Sequence, residues 1–299
     1  MTKEKARMFI INHKKIFIII SIILILLSIG SFAYFGFNLS IDFTGGALLE
    51  VEYAETRPNI DEMRNSLEVL NIDNLNIKES GDKGFILRFS DISKENHSNI
   101  VNKLREGKEL QELRFESIGP VIGKELQRSA IWGLVLVVVM ILLYIAYSFR
   151  YSAKNIKSWR FGTIAIITLF HDVIISAGIF SVLGYFYGFQ LDIPFVAAIL
   201  TILGYSVNDT IVVFDRIREN MIKGNFKSIN ELGGKSINQT FARSVNTSGT
   251  TILVLLSILF FGPISLTSFI SILIIGIFIG TYSSIFIATP LLLKNKNRV

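Results

Sequence analysis

The sequence predicts an α-helical polytopic membrane protein with six transmembrane helices and a small α+β domain outside the membrane between helices one and two. Three observations predict it. Of the 299 residues 51% are hydrophobic, and the mean hydropathy is +0.51, too apolar for one soluble domain of this size. Six stretches approach the ~20 apolar residues that cross a bilayer core. The net charge of +6 is unevenly spread: residues 37–127 hold 17 acidic and 11 basic side chains, the remainder 7 and 19. A basic chain can point to nucleic acid. Here the basic residues flank apolar spans, so membrane orientation accounts for them and no nucleic-acid partner is expected.

Taken in order, residues 1–15 form a basic cytoplasmic start with Lys3, Lys5, Arg7, Lys14 and Lys15. Residues 16–37 are almost wholly apolar, longer than the ~7–15 residue core of a signal peptide, and are read as an uncleaved first span. Residues 38–127 are mixed. Residues 47–53, 75–78, 84–89 and 113–118 have strand character, with a Gly-Asp-Lys-Gly turn at 81–84. Residues 60–70 have helical spacing, with Ile60, Met63, Leu67 and Leu70 on one face. Residues 93–104 are helical with Ser93 and Glu95 in the opening turn. The order β-α-β-β-α-β suggests a ferredoxin-like sandwich, and the negative balance suits an extracytoplasmic place.

Residues 128–293 then supply five spans, at 131–147, 161–186, 191–214, 244–261 and 266–292, before a cytoplasmic tail at 294–299. Short turns lie at 188–190 and at Gly262-Pro263. Gly276 and Gly280 have small-xxx-small spacing, which permits close helix contact or arises by chance in a glycine-containing span. Lysine and arginine in short loops face the cytoplasm. Arg150, Lys154, Lys157 and Arg160 follow span two; Arg216, Arg218, Lys223, Lys227 and Lys235 follow span four; Lys294, Lys296 and Arg298 form the tail. Both termini are therefore expected inside, in a multi-pass protein.

The fourth span carries Ser206, Asn208, Asp209 and Thr210. A carboxylate at a span centre costs at least ~2.5–3.5 kcal/mol, and such residues are by default functional candidates. Asp209 is open to two readings: a proton-coupling carboxylate, or a member of a helix–helix hydrogen-bonding network with Asn208. Its candidate partner is Arg243, which opens the fifth span ahead of Ser244, Asn246, Thr247, Ser248, Thr250 and Thr251. Arg243 shares a face with Thr247, and Ser244 with Ser248. Arg243 could equally be an interfacial flank that snorkels. His171 and Asp172 in the third span are a relay pair or a local pair near a helix end. Asp192 is placed near the outer surface and solvated. Asp215, Arg216, Arg218 and Glu219 form an interfacial cluster. There is no cysteine, so disulfides, thiolate metal sites and cysteine nucleophiles are excluded. His13, His97 and His171 lack metal-ligand spacing. No metal or cofactor is expected, only protons as coupling ion.

These residues resemble the SecF family of bacterial protein-export subunits. Ile-Asp-Phe-Thr-Gly-Gly at 41–46 follows the first span, with Asp42, Phe43, Thr44, Gly45 and Gly46 as a structural motif. Ser-Ile-Gly-Pro-Val-Ile-Gly-Lys-Glu-Leu at 117–126 precedes the second. His171-Asp172, Val-Asn-Asp-Thr-Ile-Val-Val-Phe-Asp-Arg-Ile-Arg-Glu-Asn at 207–220, Arg243 with Ser-Val-Asn-Thr-Ser-Gly-Thr-Thr at 244–251, and Gly-Thr-Tyr-Ser-Ser at 280–284 complete the pattern across the chain. The resemblance implies half of a resistance-nodulation-division (RND) transporter. It implies pairing with SecD, work beside the SecYEG channel on a translocating preprotein, and use of the proton gradient at the bacterial cytoplasmic membrane, in contact with membrane lipid. It gives Asp209 and Arg243 a role in proton movement and implies no enzyme activity.

Two rival classes were weighed. An RND-type exporter of small molecules or lipids would carry twelve spans and two large external domains in one chain, against six spans and one domain of about 90 residues. An intramembrane aspartyl protease would pair Asp172 with Asp209 as a proton-sharing dyad. Its expected Gly-x-Gly-Asp and Tyr-Asp contexts are missing.

Overall fold

The computed structural model describes residues 10, 11, 13–90, 93–106, 108–150, 158–224, 226 and 228–293. The basic residues expected at 3–7, 154, 157, 227 and 294–298 lie outside them. Two compact units emerge. One combines residues 39–132 with 191–193, and the other holds the remaining helical segments.

The first unit is the expected α+β sandwich. After a short helix, α2 (Ile41–Thr44), the elements run β1 (Gly46–Tyr53), α3 (Ile60–Glu68), β2 (Asn76–Ser80), β3 (Gly84–Phe89), α4 (Lys94–Arg105) and β4 (Leu110–Ile118). The sheet order is β2-β3-β1-β4, and all three pairings are antiparallel, as the ferredoxin-like arrangement requires. A strand has period two. Ala47, Leu49, Val51 and Tyr53 therefore face inward with Phe85, Leu87 and Phe89, and pack on Met63 and Leu67 of α3 and Ile100, Val101 and Leu104 of α4. Asn59 caps α3 by accepting the Asp61 N–H, and Ser93 caps α4 by accepting the Asn96 N–H. Each such cap contributes about 1 kcal/mol.

The second unit contains membrane-length helices. Among the described residues six helices are long and apolar enough to cross a membrane: α1 (Lys14–Phe35), α5 (Pro120–Ser148), α6 (Ser158–Tyr187), α7 (Ile193–Lys223), α8 (Ile229–Phe261) and a composite sixth. The composite runs from a 3-10 turn (Ile264–Leu266) through α9 (Thr267–Ser283) and a π-helical turn (Ser284–Ala288) to α10 (Thr289–Leu293). Pro290 follows the π turn closely. It has no N–H, and its ring crowds the carbonyl four residues back.

The first span shows the polarity of a membrane helix. Its buried residues are Ser21, Ser28 and Ser31, while Leu26 and Leu27 point outward. Ser31 Oγ donates to the Ser28 and Gly178 carbonyls at 2.8 and 3.0 Å. A Cβ on Gly178 would stand 2.3 Å from Ser28 Cβ, so this glycine lets α1 and α6 touch. Small residues inside and aliphatic ones outside are what helix association in lipid selects.

Three span boundaries lie well away from expectation. The helix of span two begins at Pro120, before residue 131. Span four continues to Lys223, and span five begins at Ile229, well before residue 244. Ser228 caps the fifth helix by accepting the Glu231 N–H. Ile229, Leu232, Ser236, Ile237 and Thr240 are then buried, a helical face too polar for hydropathy to register. Arg243 therefore lies far inside its helix and does not open it.

The sandwich core also sets an alkaline limit. Tyr53 is 3% exposed, and burial pushes its phenol up to about 12. An unfolded tyrosine titrates near ~10. The contribution is complete below that pH and is lost as pH rises from about 10 towards 12, because only the unfolded chain releases the proton. Urea midpoints read by circular dichroism should fall over this window, and Tyr53→Phe should flatten the fall.

Candidate functional site: a serine-lined carboxylate seam

Two carboxylates are buried among the spans. Asp172, on α6, is fully buried. Its Oδ1 lies 2.8 Å from His171 Nδ1. Its Oδ2 accepts from Ser206 Oγ of span four at 2.5 Å and from Ser283 Oγ of span six at 2.8 Å. Asp209, on α7, is 8% exposed. One oxygen accepts the hydroxyl of Ser244 in span five, the other that of Ser284 in span six. Each carboxylate thus joins three helices. Satisfying a buried carboxylate with hydroxyls from neighbouring helices offsets part of its desolvation cost.

Glycine makes the approach possible. A Cβ on Gly276 would fall 2.2 Å from Ile202 Cδ1, and one on Gly280 would fall 3.0 Å from Ser206 Cβ. Their spacing therefore reflects contact: span six lies against span four, bringing Ser283 and Ser284 to the two carboxylates. Adjacent residues on a helix point about 100° apart, so the serine pair can serve two different sites.

The other expected residues divide. Ser248 is buried and shares a hydrogen bond of 2.5 Å with Thr281 Oγ1. Asn208, Arg243 and Thr247 are exposed. Asn208 points away from the seam, because it neighbours Asp209 on the helix. Arg243 acts electrostatically on Asp209, while the hydrogen bonds to both carboxylate oxygens come from the serines. Arg243 lines a cleft with Tyr144, Asp215, Arg216 and Gln239. The polar cluster after span four is present: Arg216–Glu219 at 2.7 Å, Arg218–Asp215 at 2.9 Å and Lys223–Glu219 at 3.1 Å. His171 is paired in mid-helix, not at an end, and its Nε2 has no partner among the described residues. The proton on Nδ1, donated to Asp172, is the tautomer this surrounding accommodates.

The 41–46 motif belongs to the α+β unit. Ser40 accepts the Asp42 N–H at 3.1 Å. Asp42 Oδ2 accepts the Ile193 N–H at 2.9 Å, placing negative charge at the start of α7, where the helix dipole favours it. Asp192 is half-buried and acts on Arg88 together with Asp42, so it is not a freely solvated outer residue. Gly45 has φ +77°, and a Cβ there would meet Pro120 Cα at 2.8 Å; Gly46 has φ +121°, with the Phe89 carbonyl oxygen 2.7 Å from its Cβ position. Backbone conformation and close packing both require glycine.

The serine partners were the part that sequence reasoning missed. Ser283 and Ser284 fall within the motif at 280–284, where the sequence assigns them no role; the further signal is two adjacent hydroxyls in an apolar span, one turn after a Gly-x-x-x-Gly pair. Among the described residues no group of acidic and histidine side chains could hold a metal ion.

The arrangement is that of a polytopic membrane protein with ionisable groups sealed between helices, the class to which ion-coupled transport proteins belong. Comparison with known proteins gives the family. Residues 99–298 match the model of protein export membrane protein SecD/SecF, C-terminal, and residues 30–56 match the SecD/SecF GG motif. The chain is 38% identical to protein translocase subunit SecF of Anaerolinea thermophila, over 94% of this chain and 92% of the relative. It is 37% identical to the SecF of Rhodothermus marinus over 99% and 95%. The crystal structure of SecDF from Thermus thermophilus, titled a translocon-associated membrane protein, superposes with a TM-score of 0.84 at 36% identity, covering 96% of this chain and 38% of that one. The chain belongs to the SecD/SecF family of protein-export membrane proteins.

The helix seam can be tested by overfilling it. Gly276→Leu should lower stability by about 1–3 kcal/mol, the usual cost of overpacking. Gly133→Leu, where nothing lies within 4 Å, should stay within about 0.5 kcal/mol. Thermal melts of the purified proteins in one detergent make the comparison.

Proposed function

We propose that this chain is the SecF subunit of a bacterial Sec translocase. It pairs with SecD beside the SecYEG channel and uses the proton gradient to promote export of a translocating preprotein. The relatives' names support the export role, and the SecDF protein of Thermus thermophilus, 38% identical over 88% of this chain and 35% of its own length, supports a SecD partner. The proposed setting is the bacterial cytoplasmic membrane, with both termini cytoplasmic and the α+β domain outside. Arg150, Arg160, Arg216, Arg218, Lys223 and Lys235 support that orientation.

One observation carries the reading. The exposed faces of spans four and five carry polar groups, Thr201 and Asn208 on one, Arg243, Asn246, Thr247 and Thr250 on the other, beside apolar Val245, Leu253 and Val254. Membrane helices do not present such groups to lipid; they turn them towards protein or a water-filled path. A partner subunit carrying the rest of that path fits this face. Asp209, next to Asn208 on the helix, is turned inward from that face, held by two serines and attracted by Arg243. Protonation of its carboxyl removes that attraction and turns an acceptor of two hydroxyls into a donor to one. The contacts that join spans four, five and six would then rearrange. Asp172 and His171 support this as a second polar node, with Ser248 part of the lining. Arg243 and Thr247 face the partner.

A proton moved through 100 mV supplies about 2.3 kcal/mol, equivalent to a rate change of up to roughly fifty-fold. In a strain supplying the cognate SecD, Asp209→Asn and Arg243→Ala should each lose the gradient-dependent part of export while the complex still assembles. Gradient-dependent export at the wild-type rate in both variants would sink the proposal.

A further inference from the structure

Ser283 and Ser284 each face a choice of acceptor. Ser283 Oγ lies 2.8 Å from Asp172 Oδ2 and 3.0 Å from the Gly280 carbonyl. Ser284 Oγ reaches Asp209 Oδ2 and, at 3.1 Å, the Thr281 carbonyl. A serine hydroxyl has one proton to donate. It can satisfy the carboxylate or the carbonyl behind it. The same Gly280 carbonyl also accepts the backbone N–H of Ser284.

We propose that Ser283 and Ser284 are a coupling pair, positioning residues through which the protonation states of Asp172 and Asp209 depend on one another. With Asp172 ionised, Ser283 donates to it, and the Gly280 carbonyl is left to the Ser284 N–H. With Asp172 protonated, its carboxyl donates to a serine oxygen, and the Ser283 hydroxyl turns to Gly280. A carbonyl oxygen has two lone pairs, so the hydroxyl then shares that carbonyl with the Ser284 N–H and draws it away from the backbone bond. Ser284 is the residue whose side chain holds Asp209, so the backbone shift reaches the second carboxylate. The reverse path runs through the same atoms.

The position in the helix makes this possible. Ser284 begins the π-helical turn, and Thr289 Oγ1 donates to its carbonyl at 3.1 Å. π turns interrupt the regular ladder and recur at functional sites. Among the described residues, the charged or titratable groups acting on the pair's two carboxylates are His171 on Asp172 and Arg243 on Asp209. Tyr282 stacks beside His171 with ring centroids 6.4 Å apart. Tyr205 bonds to Ser248 and Thr251, not to either carboxylate.

The inference shares Asp209 with the proton-coupling reading, and its test is separate from export. Infrared difference titration of the SecD-bound complex in lipid nanodiscs resolves protonated carboxyl bands, assigned by their loss in Asp172→Asn and Asp209→Asn. Ser283→Ala should move the midpoint of the Asp209 band by about half a pH unit or more, roughly a threefold change in equilibrium, although Ser283 does not touch Asp209. Ser284→Ala should likewise move the Asp172 band. Ser283→Cys, which keeps a weaker donor, should give a smaller shift and guards against misfolding of the alanine variant. Ser206→Ala removes a donor from Asp172 but leaves the Ser283–Gly280–Ser284 path intact, so it should move the Asp172 band and move Asp209 only through Asp172, by clearly less than Ser283→Ala does. An Asp209 midpoint unmoved by Ser283→Ala, or moved as far by Ser206→Ala, overturns the coupling. Loss of the export reading would instead appear as gradient-driven export that ignores Asp209→Asn.

Discussion

The structure depends on keeping two carboxylates in a setting that disfavours their charge. Lipid offers them no hydrogen bonds, and an unpaired buried charge is among the most expensive features a fold can carry. Hydroxyls supplied by neighbouring helices are the solution adopted. Ser206, Ser244, Ser283 and Ser284 deliver four of them from three spans. Serine has the right reach only when backbones are close, so the carboxylates and the glycines at 276 and 280 belong to one design. The close approach of span six to span four and the satisfaction of Asp172 and Asp209 stand or fall together.

That constraint also explains which residues lie outside the seam. Arg243 stays on the exposed face and attracts Asp209 from a distance. A guanidinium in direct contact would require both charges to be desolvated together, a cost that geometry rarely recovers in full. Holding Asp209 with neutral hydroxyls leaves its charge state able to change, and leaves Arg243 free to engage whatever covers spans four and five. The α+β unit follows simpler rules: alternating strands, two side-chain caps and a Gly45-Gly46 pair at positive φ.

Much of this was legible in the sequence. Apolar length located all six spans, and strand character with a Gly-Asp-Lys-Gly turn located the four strands. The carboxylate at 209 announced itself by cost alone, and the glycine spacing at 276 and 280, open in the sequence between contact and chance, is a real contact. The depth of Arg243 did not emerge, because the first half of helix five buries a face of Ser236, Thr240 and two glycines that hydropathy scores as loop. The identity of the hydroxyls around each aspartate did not emerge either. Which serine meets which carboxylate depends on helix rotation, and here a π turn ahead of Pro290 adjusts that rotation locally. The electrostatic link of half-buried Asp192 to Arg88 did not emerge either, because the two lie in chain segments distant in sequence.

The central claim is that Asp209 is the group through which this subunit responds to protons. Proton flux into vesicles reconstituted with the SecD-bound complex, under an imposed pH gradient and membrane potential, tests it most directly. The account predicts flux in the wild type that Asp209→Asn reduces to the level of protein-free vesicles. Flux undiminished by Asp209→Asn in an intact complex would contradict it.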